Sequence, residues 1–217
     1  MVALAIIFFG CIATALFSCR PFAVRHKRKI AVALAACLLM DEVVVIVSGA
    51  LREGLEPAFL LPLHLCDISM IALFFALLRQ KQIAFEIGYF FGVGGVAVAF
   101  LTPNLTVGFP SFLFVRFFIS HGLILLGVEF LFFAYQMRPQ PNAFARMLVV
   151  GHLYFLGAAL LNWALGTNYG YLAHKPEGAT ALDWIGPWPF YIPFIWIIGV
   201  SLLFLMALPW RANRQKK

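Results

Sequence analysis

The sequence predicts an all-α membrane protein: a single domain spanning residues 1–217, with seven transmembrane helices, its N-terminus outside and its C-terminus in the cytoplasm. Three observations predict it. Of 217 residues, 63% are hydrophobic and 12% charged, with a mean hydropathy of +0.94. A soluble domain carries about twice that share of charge, and this chain has too few polar residues to cover such a core in water. Apolar runs of about 20 residues, the length that spans a bilayer, recur seven times. The basic residues fall in alternate connections between those runs.

The first run, about 2–19, has no basic residue before it and Arg20, Arg25, Lys27, Arg28 and Lys29 after it. That order predicts a retained helix inserted N-terminus out, not a cleaved signal peptide. Further runs follow at about 30–51, 58–78, 83–101, 111–135, 144–165 and 189–209, separated by charged or turn-rich segments. They are too long for the roughly ten-residue strands of a membrane barrel. Arg79 and Lys81 follow the third run, Arg138 and Arg146 flank the start of the sixth, and Arg211, Arg214, Lys216 and Lys217 close the chain. Thirteen of the 16 basic residues therefore share one side, which the positive-inside rule makes cytoplasmic. The net charge of +7 thereby loses the nucleic-acid meaning it would have in a soluble protein, and no nucleic-acid partner is expected. A retinal-type receptor is not expected, because the seventh run contains no lysine.

The four cysteines, Cys11, Cys19, Cys37 and Cys66, all fall in apolar runs and form no CxxC pair. Neither a disulfide framework nor a zinc ribbon is expected. Cys66 stands apart from the other three, in Leu63-His64-Leu65-Cys66-Asp67.

An ionisable or polar side chain inside a membrane span is costly and marks a candidate site. Here these are Asp41 and Glu42, His64 and Asp67, Glu86, then Arg116, His121 and Glu129, and finally His152 and Asn162. At about 1.5 Å of rise per residue, Asp41, Glu42, His64, Cys66, Asp67, Arg116 and His121 share one layer in the outer half. Glu86 and Glu129 fall near the inner boundary, as interfacial acids. The layer is either a structural polar network or a site that opens to the outer face. His64 and Asp67 share a helix face, whereas Cys66 points roughly 200° away from His64. A base for Cys66 is then expected from another helix, unless Pro62 distorts the start of its own. His121 is the best candidate, since Gly122 beside it permits close helix approach.

The connection from Gly166 to about Trp188 is too long for a simple link. Its Tyr and Trp residues read as an interfacial belt or as a lid. Asn168, Tyr169 and Lys175 are candidate substrate contacts, Lys175 for a lipid phosphate. Gly88, Gly92, Gly94 and Gly95 predict a surface for tight helix packing.

Several segments in order carry a family resemblance: His64-Leu65-Cys66-Asp67-Ile68-Ser69, Tyr89-Phe90-Phe91-Gly92, Leu101-Thr102-Pro103-Asn104, Arg116-Phe117-Phe118-Ile119-Ser120-His121-Gly122, Asn168-Tyr169 with Lys175-Pro176, and Gly186-Pro187-Trp188-Pro189. Together, over residues 60–191, they resemble the bacterial YwaF-type membrane proteins, grouped with the eukaryotic transmembrane protein 164 acyltransferases. The resemblance implies a multi-span fold akin to the androgen-induced-gene hydrolases. It implies fatty-acyl transfer between phospholipids through a cysteine, matched here by Cys66, with His121 as the partner histidine. It also implies a bacterial cytoplasmic membrane and membrane phospholipids or other acyl lipids as partners. The expected chemistry is thiol attack on an ester by Cys66, with His121 as base. Asp67 or Asp41 would orient the imidazole, and Arg116 would hold phosphate or developing charge. No cofactor or metal is expected. Two other classes remain open. One is a transporter or lipid-handling protein without chemistry, against which stands the lack of any plainly broken helix or inverted repeat. The other is a metal-dependent lipid hydrolase using His64, Asp67, His121 and His152, against which stands the lack of histidines at i, i+3 or i, i+4.

Overall fold

The structure is a computed structural model that describes residues 10, 12–103, 105, 107–176 and 181–211. Half of the predicted first helix, including Cys11, the motif residue Asn104, and the basic tail of Arg214, Lys216 and Lys217 lie outside the described residues.

The described residues form helices and no strands. These are α1 (12–18), α2 (Pro21–Arg25), α3 (Lys27–Glu53), α4 (Pro57–Leu60), α5 (Leu65–Arg79), α6 (Gln82–Leu101), α7 (Phe112–Ala134), α8 (Ala143–Leu165) and α9 (Ile192–Arg211). Among the described residues five helices, α3, α6, α7, α8 and α9, are long and apolar enough to cross a membrane.

The third predicted span, 58–78, is not one continuous helix. It is split into α4 and the 15-residue α5. Pro62 explains the break: it lacks an amide donor and drives the preceding residue out of the helical region, and Leu61 is indeed extended at φ −97°, ψ 117°. A second irregularity is the π-helical stretch Gly88–Val93 inside α6.

Helices α3, α5, α6 and α7 pack around Leu38, Leu73, Leu77, Phe85, Ile124 and Leu131. Gly88 and Gly92 make this possible. A Cβ on Gly88 would collide with Leu73, and one on Gly92 would stand 2.7 Å from Ile124 Cγ2. Gly94 and Gly95 do not share that role; each has room for a Cβ and lines a cavity instead. A smaller apolar cluster, Phe90, Phe91, Met147, Leu203 and Ala207, joins α6 to α8 and α9. The outward faces carry Leu153, Leu156, Leu160 and Trp163 of α8 and Ile197 of α9 in the open, the surface a lipid solvent would cover.

Basic side chains gather at one end of the bundle. Arg28 donates to the Leu78 carbonyl at 2.7 Å, Lys27 sits over the Tyr135 ring, and Arg211 sits over Phe144 and Phe204. Arg138 donates to the Phe132 carbonyl. Glu86 is at this end too, but it is not an interfacial acid. It is fully buried, paired with Arg146 at 2.7 Å, and it accepts from Gln82 Nε2 at 2.8 Å and from the Gln140 N–H at 3.0 Å. The 136–142 connection folds back to supply the Gln140 N–H, and Arg146 reaches in from α8, which places the carboxylate inside. Glu129 accepts from the Thr14 hydroxyl of α1.

Candidate functional site

The break at Pro62 builds the site. His64 is the residue before α5, extended at φ −67°, ψ 156°. Its N–H donates to Asp67 Oδ2 at 2.8 Å, so Asp67 caps the helix from its first turn. The other oxygen, Oδ1, accepts from the Cys66 thiol at 3.3 Å. One buried carboxylate therefore fixes both the helix start and the thiol. The expected face shared by His64 and Asp67 assumed an unbroken helix. With His64 outside α5, its ring instead packs edge-on to Tyr169, with centroids 5.3 Å apart, and leans on Tyr171.

Helix α7 supplies the opposite groups. His121 Nδ1 lies 2.7 Å from the Phe117 carbonyl. A carbonyl only accepts, so Nδ1 carries the hydrogen and Nε2 is the basic nitrogen. Neither Asp67 nor Asp41 orients this imidazole, contrary to the expectation from triad logic. The backbone of its own helix does so, and Phe117 and Phe100 pack on the ring. Asp41 is occupied by Ser120, whose hydroxyl donates to Oδ2 at 2.6 Å. Gly122 does not mediate a helix contact, since a Cβ there would meet nothing within 4 Å.

A cavity of about 1000 Å³ lies between these helices, α8 and α9, beneath the 166–190 connection. Its wall includes Glu42, His64, Cys66, Asp67, Arg116 and His121, with Ser120 beside them. Glu42 is 7% exposed. Neither of its carboxylate oxygens has a hydrogen-bond partner, nor does Arg116 Nε. The rest of the wall is mostly apolar and includes Gly94, Gly95, Gly151 and Gly199 from three different helices.

The connection above the cavity is held by Asn162, one of the polar residues the sequence placed inside a span. Gly166, at φ +67°, reverses the chain after α8. Asn162 then donates to the Tyr169 carbonyl at 3.0 Å and accepts from the Tyr169 N–H at 2.7 Å and the Thr167 hydroxyl at 2.9 Å. Tyr169 donates its hydroxyl to the Pro57 carbonyl at 2.7 Å. Burial, with a smaller contribution from the Asp67 charge, raises this phenol's pKa above its ordinary value, so it remains a donor. Asn168 accepts from the amides of Ala173 and His174 and donates to the His174 carbonyl. Tyr191 and Trp188 donate to the Tyr171 and Leu172 carbonyls. Asn168 and Tyr169 thus spend their polar atoms building the connection itself. Lys175 is not on the cavity wall; its ammonium lies 3.6 Å from Asp183. Replacing Asn162 by Ala leaves the buried Tyr169 N–H without a partner and its carbonyl with only the Leu172 N–H at 3.5 Å, a loss of about 1–3 kcal/mol. The expected result is faster proteolysis within 166–176 in membrane vesicles, with the rest of the chain still protected.

His152 is also saturated: Nδ1 bonds the Leu148 carbonyl at 2.7 Å, and Nε2 accepts from Trp196 at 3.1 Å. With His64 against tyrosines and His152 closed on both nitrogens, the four suggested metal ligands do not converge. Among the described residues no group of three or more His, Cys, Asp or Glu has metal-binding geometry.

Apolar helices long enough to span a bilayer, enclosing a cavity with a polar wall, define a polytopic helical membrane protein. Residues 1–207 match the model of the TMEM164 family, and the chain belongs to that family. No curated protein and no solved structure matches it.

Proposed function

We propose that the protein is an intramembrane acyltransferase or acyl hydrolase that acts on phospholipid fatty-acyl esters with Cys66 as nucleophile. The observation that supports this reading is the placement of the Cys66 thiol, held on Asp67, on the wall of a cavity that also carries His121. In this reading α1 and the α4–α5 pair complete seven spans within one domain. The basic end lies in the cytoplasm of a bacterial membrane, the N-terminus lies outside, and the cavity faces the outer leaflet.

In the first step the sulfur attacks the ester carbonyl, and a C–S bond forms. The ester C–O bond breaks, and the thiol proton passes through His121 Nε2 to the departing lysophospholipid oxygen. In the second step an acceptor hydroxyl, or water, attacks the thioester. Its proton returns through His121 to the sulfur as the C–S bond breaks. Asp67 orients the thiol, and Arg116 holds the lipid phosphate. The lid sets the balance between transfer and hydrolysis by admitting or excluding water.

The test is direct. Purified protein in vesicles is given phospholipid with a labelled acyl chain, quenched in acid and digested. The expected result is a hydroxylamine-labile acyl group on the peptide that contains Cys66. Turnover of the lipid with no such adduct overturns the reading.

A second reading, a transporter without chemistry, is favoured by one observation: the third span is broken at Pro62, beside ionisable groups. Lipid or solute movement with no covalent adduct supports it over the first.

A further inference from the structure

Three acids sit close together, Glu42 and Asp67 on the cavity wall and Asp41 behind it, and they differ in one respect. Asp67 accepts from the His64 N–H and the Cys66 thiol. Asp41 accepts from Ser120. Glu42 is nine-tenths buried, lines the cavity, and has no partner on either oxygen. Its charged neighbours are Asp67, Asp41 and Arg116. The guanidinium of Arg116 lies on the same wall, and it is not within ion-pair distance of Glu42; the described ion pairs are Arg146–Glu86 and Lys175–Asp183. Arg116 Nε is itself unpartnered.

A buried carboxylate with no donor is costly. Two groups of opposite charge on one cavity wall, each with unsatisfied atoms and not paired with one another, fit a ligand that carries both charges. We propose that Glu42 is the counter-ion of an ammonium group in a zwitterionic ligand whose anionic group lies on Arg116. A metal ion fits less well. It requires several protein oxygens or nitrogens, and Glu42 offers one free carboxylate beside a guanidinium that repels a bare cation. An ammonium needs only one acceptor, and the ligand's own anion neutralises Arg116. Two sources share this chemistry, an ammonium-bearing phospholipid headgroup and a small soluble zwitterion. The proposal rests on the reading above only in placing the ligand in this cavity. It does not depend on thiol chemistry.

The experiment measures binding in a Cys66→Ala protein, where no adduct forms. A phospholipid with a fluorescent tail is displaced by phosphatidylethanolamine, by phosphatidylglycerol with the same chains, or by soluble phosphoethanolamine. Phosphatidylethanolamine is expected to compete roughly tenfold or more better than phosphatidylglycerol, the preference one charge-assisted hydrogen bond confers. Adding Glu42→Gln, which keeps the side-chain shape, is expected to bring the ratio near one, whereas adding Glu56→Gln on the exposed connection leaves it unchanged. Competition by phosphatidylethanolamine alone assigns the ammonium to a lipid; equal competition by phosphoethanolamine assigns it to a soluble ligand. Thermal melting of each variant shows that it is folded. A ratio unchanged by Glu42→Gln, or displacement by sodium or calcium ions in place of the ammonium ligands, overturns the proposal. Because no step involves Cys66, failure here leaves the thioester experiment standing, and the reverse holds too.

Discussion

Replacing Cys66 by Ala is expected to abolish acyl transfer while leaving the protein folded. The sulfur makes one described hydrogen bond, to Asp67 Oδ1, and the cap from the His64 N–H to Oδ2 does not involve it. The side chain borders a cavity and is half-buried, so truncation slightly enlarges an existing space and leaves no sealed void. The chemical effect is far larger. Removing a covalent nucleophile removes both half-reactions, and rates are expected to fall by roughly 10³-fold or more. Release and transfer of a labelled acyl chain in vesicles measures this, beside a melting curve for the variant. A well-folded Cys66→Ala protein with undiminished turnover sinks the thiol mechanism. His121→Gln separates the roles further: it is expected to slow both formation and breakdown of the adduct without preventing acylation of Cys66, because the nucleophile remains.

The second large effect concerns stability. Arg146→Ala is expected to destabilise the protein by about 3 kcal/mol, the low end for breaking a buried ion pair. Glu86 is fully buried, whereas Arg146 is one-third exposed, and Gln82 and Gln140 still donate to the carboxylate; both facts hold the cost down. The melting temperature in detergent reports it. Glu86→Gln added to Arg146→Ala is expected to recover part of the loss, because a neutral amide needs no counter-ion. No recovery, or a single variant as stable as the parent, contradicts the assignment. Neither residue of this pair lines the cavity, so ligand binding by the surviving folded fraction is expected to be unchanged.

Much of the helical layout follows from local sequence. The runs at 30–51, 83–101, 111–135, 144–165 and 189–209 correspond to α3 and to α6 through α9, with ends shifted by a few residues at most. Their length and hydropathy are properties of each segment alone. The third run misled because hydropathy does not register a broken backbone. Pro62 was the signal, and its effect reached the chemistry. With α5 starting at Leu65, Asp67 becomes a cap, and its second oxygen meets the neighbouring thiol. Helical angles reckoned from His64 therefore gave the wrong partners. Asn162 was legible only as a polar residue inside a span. Its bonds to Thr167 and Tyr169 require the chain to reverse at Gly166, which a count of residues does not reveal. Glu42 and Asp41 are adjacent and alike in sequence. Only the approach of Ser120 from α7 satisfies one and leaves the other bare.

The sequence by itself determined that this chain lives in a membrane, which segments are long enough to cross it, and which few ionisable residues are out of place there. Those conclusions rest on transfer free energy, which sums over each segment whatever its neighbours. The tertiary structure alone decided which acid is spent on a cap, which on a hydroxyl and which on an arginine, and that Glu42 is left without any of these. Hydrogen bonds are directional and short, so their partners depend on ångström-scale placement of helices distant in sequence, which composition and periodicity do not encode.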